Sequence, residues 1–241
     1  MPCMEAIERE GQGALYMVAT PIGNLEDITL RAIRTLKEAD VIYGEDTRVT
    51  SKLLARYDID TPLRRLDANL EEARATEVIN RLTAGEHVAY VTDAGTPGIS
   101  DPGSRLVGFV RQALGESFPI HPIPGASAVT AALSVAGLSG DAFTFLGFLP
   151  HKKGRQTLLK KIADIKHAVV LYESPHRVLR LLGELAEHVP GRDVTVMREL
   201  TKKFEEIQPA GDPAGIKEYF EEVRDGAPKG EFVVLVSPAS R

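Results

Sequence analysis

Residues 89–103 constrain this chain most strongly, because they join a strand to a helix through a long loop of small residues. The segment reads A-Y-V-T-D-A-G-T-P-G-I-S-D-P-G. Connections from strand to helix usually take about 2–6 residues, and the loop at residues 93–100 is longer. Its small side chains leave backbone N–H groups open to close approach by a ligand. An ordinary turn without a ligand is also compatible, because Gly and Pro mark turns of every kind.

The end of this loop has the pattern of a helix start. Asp101 is predicted to be the N-cap and Pro102 to occupy the first helical position, where a missing N–H costs nothing. An apolar face then follows at helical spacing, formed by Leu106, Val107, Val110 and Leu114.

Composition describes a globular protein and excludes several classes. The chain has 241 residues, of which 43% are hydrophobic, enough for a sizeable core. Cys3 is the only cysteine, which excludes an internal disulfide and favours a reducing cytoplasm. Residues 1–13 lack a secretion signal and are expected to form a disordered leader. The net charge of −5 argues against coating nucleic acid by bulk charge, but allows a local basic groove.

Apolar strands alternate with amphipathic helices along the chain, which predicts an α/β fold with mostly parallel sheets. Two domains are expected, at residues 1–120 and 121–241. Helices are predicted to begin at Asp27, Ser51, Pro102 and Ser174, among others. Strands are predicted at residues 15–19, 40–44, 61–67, 87–92, 118–124, 142–149, 168–172, 193–198 and 231–237.

Three unusual loops follow predicted strands, at residues 20–27, 44–48 and 93–100. In parallel sheets, ligands bind beyond the carboxyl ends of the strands. We therefore expect these loops to gather at one edge of the first sheet.

Familiar catalytic motifs are missing from the sequence. The six histidines are scattered, and neither paired cysteines nor H-E-x-x-H occurs, so no metal site is expected. The sequence also lacks G-x-S-x-G, G-x-G-x-x-G and G-x-x-x-x-G-K-[ST]. Backbone-rich loops with a few carboxylates suit a ligand that carries its own reactive group.

Seven segments, taken in order, resemble one family. They are T-P-I-G-N-L-E-D-I-T, G-E-D-T-R, T-D-A-G-T-P-G-I-S-D-P-G, P-G-A-S-A-V-T-A-A-L, F-L-G-F-L-P, Y-E-S-P-H-R and R-E-L-T-K. Together they resemble the ribosomal RNA small-subunit methyltransferase I family of the tetrapyrrole methylase superfamily. The resemblance covers about residues 15–237.

The resemblance implies two α/β domains with S-adenosylmethionine in the cleft between them. It also implies methyl transfer to the 2′-hydroxyl of a cytidine ribose in 16S ribosomal RNA, within the small ribosomal subunit, by a homodimer. The cofactor-binding residues that it implies are Pro21, Gly23, Asp93, Ala94, Gly95, Thr96, Ser127, Ala128, Tyr172, Glu173, Gly230 and Glu231.

Glu45 and Asp46 are the candidates for a catalytic base or an orienting carboxylate, because they are adjacent at a strand end. Adjacent side chains need not face the same way, so at most one is expected to act. The alternative is a capped turn in which Asp46 pairs with Arg48.

RNA contact requires local positive charge. The candidates are Arg48, Lys152, Lys153, Arg155 and Arg177, with Lys52, Arg198, Lys202 and Lys203 as possible extensions. Lys160 and Lys161 are interpreted as a solvated helix start. Tyr43, Phe145 and Phe148 are assigned to the core rather than to base stacking.

The region after R-E-L-T-K departs from the family pattern, and the chain stops soon after V-S-P, where relatives commonly carry a further helical segment. Two other functions stay open at this point. One is a precorrin- or uroporphyrinogen-type methyltransferase, and the other is a non-catalytic cofactor-binding or ribosome-assembly module.

Overall fold

The computed structural model describes residues 11–66, 72–138, 141–222 and 228–239. Its chain divides into two compact units, the first ending at Ser127 and the second beginning at Ala128. The boundary expected near residue 120 is too early, because the strand Ile120–Ile123 pairs with the first strand of the chain. Of the expected disordered leader, residues 1–10 lie outside the described residues, whereas Gly13 is buried.

The first unit holds a parallel sheet with the strand order β3-β2-β4-β1-β5. A short 3-10 turn at Leu25–Asp27 follows the first strand. The elements in chain order are β1 (Ala14–Val18), α1 (Leu30–Glu38), β2 (Val41–Gly44), α2 (Thr47–Arg56), β3 (Leu63–Arg65), α3 (Glu72–Thr83), β4 (His87–Val91), α4 (Gly103–Leu114) and β5 (Ile120–Ile123).

The first sheet is covered on both faces, which explains its nearly continuous apolar strands. On β4, Val88 and Tyr90 face one buried cluster with Leu106 and Val110 of α4. The alternate residues of β4 face a second cluster that includes Leu36 of α1. The parallel sheet predicted from the alternation of strands and helices is confirmed for this unit.

The second unit holds a sheet with the order β6-β7-β10-β8-β9. Its elements are α5 (Ala128–Val135), β6 (Phe143–Phe148), α6 (Arg155–Asp164), β7 (Ala168–Glu173), α7 (Val178–His188), β8 (Val194–Arg198), β9 (Glu206–Gly211), α8 (Pro213–Glu222) and β10 (Phe232–Val236). Among the described strands of this sheet, the β6–β7 pair alone is parallel, and the pairs of β10 with β7, β10 with β8 and β8 with β9 are antiparallel. The prediction of a mostly parallel sheet is therefore wrong for this unit.

The strand β9 has no counterpart in the sequence-based prediction. Its residues are half-buried or exposed, none is fully buried, and it contains Pro209. Proline is tolerated on an edge strand because one side of such a strand forms no sheet hydrogen bonds. The position of β9 at the end of the sheet explains why its apolar signal is weak.

Several helix starts differ from the predicted ones. Thr29, not Asp27, caps α1, and its Oγ1 accepts a hydrogen bond from the N–H of Ala32 at 3.1 Å. The helix α2 begins at Thr47 rather than Ser51, and α7 begins at Val178, after a turn at Ser174. In the part of the chain that the structure describes, no helix is long and apolar enough to cross a bilayer.

Candidate functional site

The carboxyl edge of the first sheet brings together the loops that follow β1 and β4. Thr20 and Gly95 form a two-residue bridge, in which the N–H of each donates to the carbonyl of the other at 3.0 and 3.1 Å. The Oγ1 of Thr20 also donates to the carbonyl of Thr92 at 3.1 Å. Both threonines are buried, so these bonds form where water does not compete.

The loop after β2 joins the same edge. The N–H of Asp46 donates to Oδ1 of Asp93 at 2.9 Å, and Oγ1 of Thr92 donates to Oε2 of Glu45 at 3.2 Å. The three loops predicted to converge do converge. The physical reason is that β2, β4 and β1 are parallel neighbours in the sheet, so their carboxyl ends meet.

Asp101 organises the long loop and is not the N-cap of α4. Its carboxylate accepts hydrogen bonds from the N–H groups of Gly98, Ile99 and Gly103, at 2.7 to 3.0 Å. The N-cap position itself belongs to Pro102, which makes no side-chain capping bond. The predicted helix start is therefore one residue early, and Asp101 ties the helix to the loop that precedes it.

Gly95 lies at a turn of the loop where the backbone approaches Ile22. Its φ of +86° lies in the left-handed region that favours glycine, and an added Cβ would lie 3.3 Å from Cγ2 of Ile22. The loop also reaches the segment after β5, because Oγ1 of Thr96 donates to the carbonyl of Ala126 at 3.1 Å. Among the other predicted first-unit contacts, Pro21 is buried, Ser127 is half-buried, and Gly23, Asp93 and Ala94 are exposed.

The two candidate bases, Glu45 and Asp46, differ sharply in their electrostatics. Burial raises the pKa of Glu45, and the nearby carboxylate of Asp93 raises it further, while the hydrogen bond from Thr92 opposes this. Hydrogen bonds from the side chain and backbone of Arg48 hold the pKa of Asp46 well below its usual range. Asp46 also caps α2. Glu45 is therefore the better proton acceptor of the two.

The edge carries more negative than positive charge. The carboxylates of Asp93 and Asp101 both contribute to the raised pKa of Glu45, and the exposed guanidinium of Arg48 is engaged by Asp46. A ligand with a cationic centre would relieve this repulsion. The exposed Ala94 offers such a ligand a close approach to the backbone. The residues present therefore fit a small cationic ligand.

In the second unit, the predicted site residue Glu173 belongs to a buried ion network. Its carboxylate accepts from the N–H of Ser174 and from Nη2 of Arg177, each at 2.9 Å, and lies 3.7 Å from Nη1 of Arg155. The side chain is 0% exposed. Glu173 can therefore contact a ligand only through its backbone.

Two arginines that were predicted to contact RNA, Arg155 and Arg177, instead bind carboxylates of this network. The side chain of Arg155 is 1% exposed, and its Nη2 lies 2.7 Å from Glu184. Arg177 donates to the carbonyl of Leu149 as well as to Glu173. The assignment of both arginines to an RNA surface is corrected, because their guanidinium groups balance buried carboxylates. In contrast, Lys152 and Lys153 are exposed as expected.

Of the remaining predicted residues of the second unit, Tyr172, Gly230 and Glu231 lie at or beside strand ends, and Ala128 begins a helix. Burial raises the pKa of Tyr172 to about 12, and this residue is half-buried at the end of β7 beside Phe148. Gly230 packs against the side chain of Glu199, and Glu231 pairs with Lys202 at 2.7 Å. Lys202 is thus engaged by a carboxylate. Ala128 is half-buried at the start of α5.

Sequence reasoning missed Thr20 and Thr92, which hold the loops together. Thr92 directly follows β4, and Thr20 lies two residues beyond the end of β1. A hydroxyl just beyond a buried strand can reach a neighbouring loop, and this position was the signal in the sequence. Among the described residues, no three His, Cys, Asp or Glu side chains are grouped to hold a metal ion.

Comparison with known proteins identifies relatives over nearly the whole chain. A family model described as tetrapyrrole (corrin/porphyrin) methylases matches residues 14–212. The chain is 44% identical to the ribosomal RNA small subunit methyltransferase I of Halalkalibacterium halodurans, covering 95% of this chain and 77% of that one. The protein of the same name from Borrelia garinii subsp. bavariensis is also 44% identical, covering 94% and 99%. That from Thermotoga maritima is 41% identical, covering 93% and 98%.

Solved structures share the fold at lower identity. Diphthine synthase superposes with a TM-score of 0.70 at 16% identity, covering 93% of this chain and 90% of that one. The methyltransferase CobJ gives 0.69 at 24%, covering 95% of both. The uroporphyrin-III C-methyltransferase of Thermus thermophilus, complexed with S-adenyl homocysteine, gives 0.63 at 21%, covering 92% and 97%.

Proposed function

Because this chain belongs to the tetrapyrrole methylase family, and within it to the ribosomal RNA small subunit methyltransferase I family, we propose that it methylates small-subunit ribosomal RNA. The donor is S-adenosylmethionine, and the acceptor is the 2′-hydroxyl of a cytidine ribose in 16S ribosomal RNA. The observation that carries this proposal is the junction of three loops at the carboxyl edge of the first sheet, with Glu45 inside it.

The methyl donor fits the charge of this edge. Asp93, Ala94, Gly95 and Thr96 would hold its methionine end, with Pro21 and Gly23 beside them. Bound there, the donor supplies a methyl carbon that its sulfonium has already activated. The carboxylates at the edge favour that positive charge. Contacts to the donor from Ser127, Ala128, Tyr172, Gly230, Glu231 and the backbone of Glu173 stay predictions.

Glu45 would accept the proton of the ribose hydroxyl. Its raised pKa makes the carboxylate a better base than an ordinary glutamate, and Thr92 fixes the position of Oε2. Asp46 would not share this task, because its carboxylate is held by Arg48. Asp46 instead positions the segment by capping α2 and by donating its N–H to Asp93.

RNA would be held by exposed cations outside the buried ion networks. Lys152 and Lys153 lie on the surface between β6 and α6, and Arg48 is 87% exposed. A few exposed cations are sufficient in an acidic protein, because phosphate contacts act over about one Debye length. We further propose that the enzyme is a homodimer in the cytoplasm, which light scattering and cell fractionation would test.

Methyl transfer from labelled S-adenosylmethionine to isolated 30S subunits that lack the modification tests the proposal. We expect label in the ribosomal RNA, resistant to alkaline hydrolysis at the methylated position because the 2′-hydroxyl is blocked. Transfer only to uroporphyrinogen would indicate a macrocycle enzyme, and donor binding without transfer to either would indicate a non-catalytic module. The macrocycle function is not favoured, because relatives at 41–44% identity carry the ribosomal name.

A further inference from the structure

Phe148 is a large apolar residue that the fold leaves in contact with solvent. It is the last residue of β6 and is 54% exposed. The sequence assigned it to the core together with Tyr43 and Phe145. Tyr43 is fully buried and Phe145 packs against a buried cluster, so the assignment is wrong only for Phe148.

A β-bulge determines the direction in which the side chain of Phe148 points. In the pairing of β6 with β7, Phe145 lies opposite Val170 and Gly147 opposite Leu171, so Leu146 is the extra residue. Gly147 has a φ of +61°, which a side chain rarely adopts. Bulges of this kind bend a strand and re-aim the side chains that follow.

The bulge brings two aromatic rings to the same side of the sheet. Residues 145 and 148 would face opposite sides of a regular strand, since their separation is odd. Both instead contact Tyr172, with ring centroids 4.9 Å apart for Phe145 and 5.6 Å for Phe148. Phe148 meets Tyr172 edge to face, at 62°, and keeps about half of its surface accessible.

Two exposed cations follow this ring closely in the chain. Lys152 and Lys153 are four and five residues beyond Phe148, and within the described ranges neither forms an ion pair. The guanidinium groups of the neighbouring Arg155 and Arg177 are instead engaged by buried carboxylates. The surface therefore combines one accessible aromatic ring with free positive charge.

We propose that Phe148 stacks on an unpaired nucleobase of the RNA substrate, while Lys152 and Lys153 contact the adjoining phosphates. This inference rests on the proposed function and names a substrate-positioning residue for it. Proteins that bind single-stranded RNA combine aromatic rings for the bases with cations for the backbone. The methyl donor carries a positive sulfonium and no phosphate, so the two lysines favour RNA as the occupant.

The test compares substitutions of Phe148 with a matched substitution at Phe143. Phe143 lies at the other end of β6 and is 40% exposed, so F143A removes a similar ring from the same strand. Binding of unmodified 30S subunits is measured by filter retention, and binding of S-adenosylhomocysteine by calorimetry. We expect F148A to weaken 30S binding about 5- to 150-fold, the range for loss of one base–aromatic stack. F148W should retain it, and F148L should not, because leucine offers apolar area without a flat face.

The outcomes separate this inference from the function itself. Wild-type protein that methylates 30S subunits, with F148A binding them as tightly as F143A does, would overturn the inference alone. Wild-type protein without transfer would overturn the proposed function. Loss of S-adenosylhomocysteine binding in F148A would assign the ring to the cofactor, and a change in light-scattering mass would assign it to self-association. Either of these results would also overturn the inference.

Discussion

Glu45 and Asp46 are neighbours in sequence, yet their surroundings drive their proton affinities in opposite directions. Burial and Asp93 raise the pKa of Glu45, whereas the guanidinium of Arg48 lowers that of Asp46. General base catalysis improves as the pKa of the base approaches the working pH. The difference in proton affinity between these two similar carboxylates therefore follows from the ion pair of Asp46 with Arg48 and from the burial of Glu45.

Substitution of Glu45 should remove the base without removing the site. We expect E45Q to lower kcat about 10²- to 10⁴-fold and to leave S-adenosylhomocysteine affinity unchanged in calorimetry. D46N keeps a side-chain oxygen for capping α2 and should lose less activity. An equal loss in both variants would show that Glu45 does not act alone.

Thr92 should set the pH at which Glu45 becomes active. Its hydroxyl donates to the carboxylate and so favours the charged form, which opposes the upward shift of the pKa. T92V removes that donor at nearly constant volume, so the pKa of Glu45 should rise. Activity needs the ionised carboxylate, hence the acid limb of the kcat profile should move to higher pH. T92S should restore the wild-type profile, and an unshifted limb in T92V would contradict the assignment.

At the scale of secondary-structure elements, the loops at the strand ends form the candidate site through hydrogen bonds with one another. The bridge between Thr20 and Gly95 and the three N–H bonds to Asp101 give the long loop one shape before any ligand binds. A preformed loop loses less conformational freedom on binding than a mobile one. The internal hydrogen bonds thus restrict the conformational freedom that such a long strand-to-helix loop would otherwise have.

Gly95 should be needed for the donor more than for folding. G95A introduces a Cβ near Ile22 at a φ of +86°, and G115A imposes a similar backbone strain at φ +91°, where nothing lies within 4 Å of the added Cβ. Both should destabilise the protein by about 1–3 kcal/mol. Only G95A should lose S-adenosylhomocysteine binding in calorimetry. Full affinity in G95A would remove this loop from the donor site.

Arg155 should stabilise the second unit strongly, because it balances buried carboxylates. R155M leaves Glu173 without one of its two cations and takes the closest cation from Glu184. Removal of one partner from a buried ion pair costs about 3–5 kcal/mol. R180M removes a second, 57% exposed partner of Glu184 and should cost about 0–1 kcal/mol. Urea unfolding of the two variants measures the difference, and equal losses would refute the burial argument.

At the scale of the whole molecule, an acidic chain must bind a polyanion. The net charge is −5, so attraction to RNA has to come from a few local cations rather than from the average field. Many basic side chains are already engaged by carboxylates, including those of Arg155, Arg177, Arg198 and Lys202. Basic side chains that are held by carboxylates in this way have less charge to offer to RNA than exposed lysines such as Lys152 and Lys153.

The salt dependence of 30S binding should identify those cations. K152A/K153A should lower the slope of log K against log salt by about 2, because each lysine would neutralise one phosphate. K160A/K161A removes the same charge from exposed positions in α6 and should leave the slope unchanged. An identical slope in all three proteins would exclude Lys152 and Lys153 from the RNA surface.

The sequence alone determined the parallel first sheet and the convergence of its three loops. A strand such as His87–Val91 can be buried on both faces only when helices cover both sides of the sheet. Helices that alternate with strands connect those strands in parallel. Once the strands are parallel, loops at their carboxyl ends must share one edge. Local pattern was sufficient for the direction of the strands, because each helix between two strands returns the chain to the same end of the sheet, whereas the order β3-β2-β4-β1-β5 was decided by the tertiary structure.

Only the tertiary structure decided the antiparallel pairs of the second sheet, the burial of Arg155 and the exposure of Phe148. The strand β10 (Phe232–Val236) inserts between β7 and β8 from far along the chain, so its direction is invisible to local pattern. Arg155 follows two exposed lysines in sequence and differs from them only because Glu173 and Glu184 approach it from other elements. The burial and the charge pairing of a residue depend on the elements that fold against it, and these elements can lie far away in the sequence.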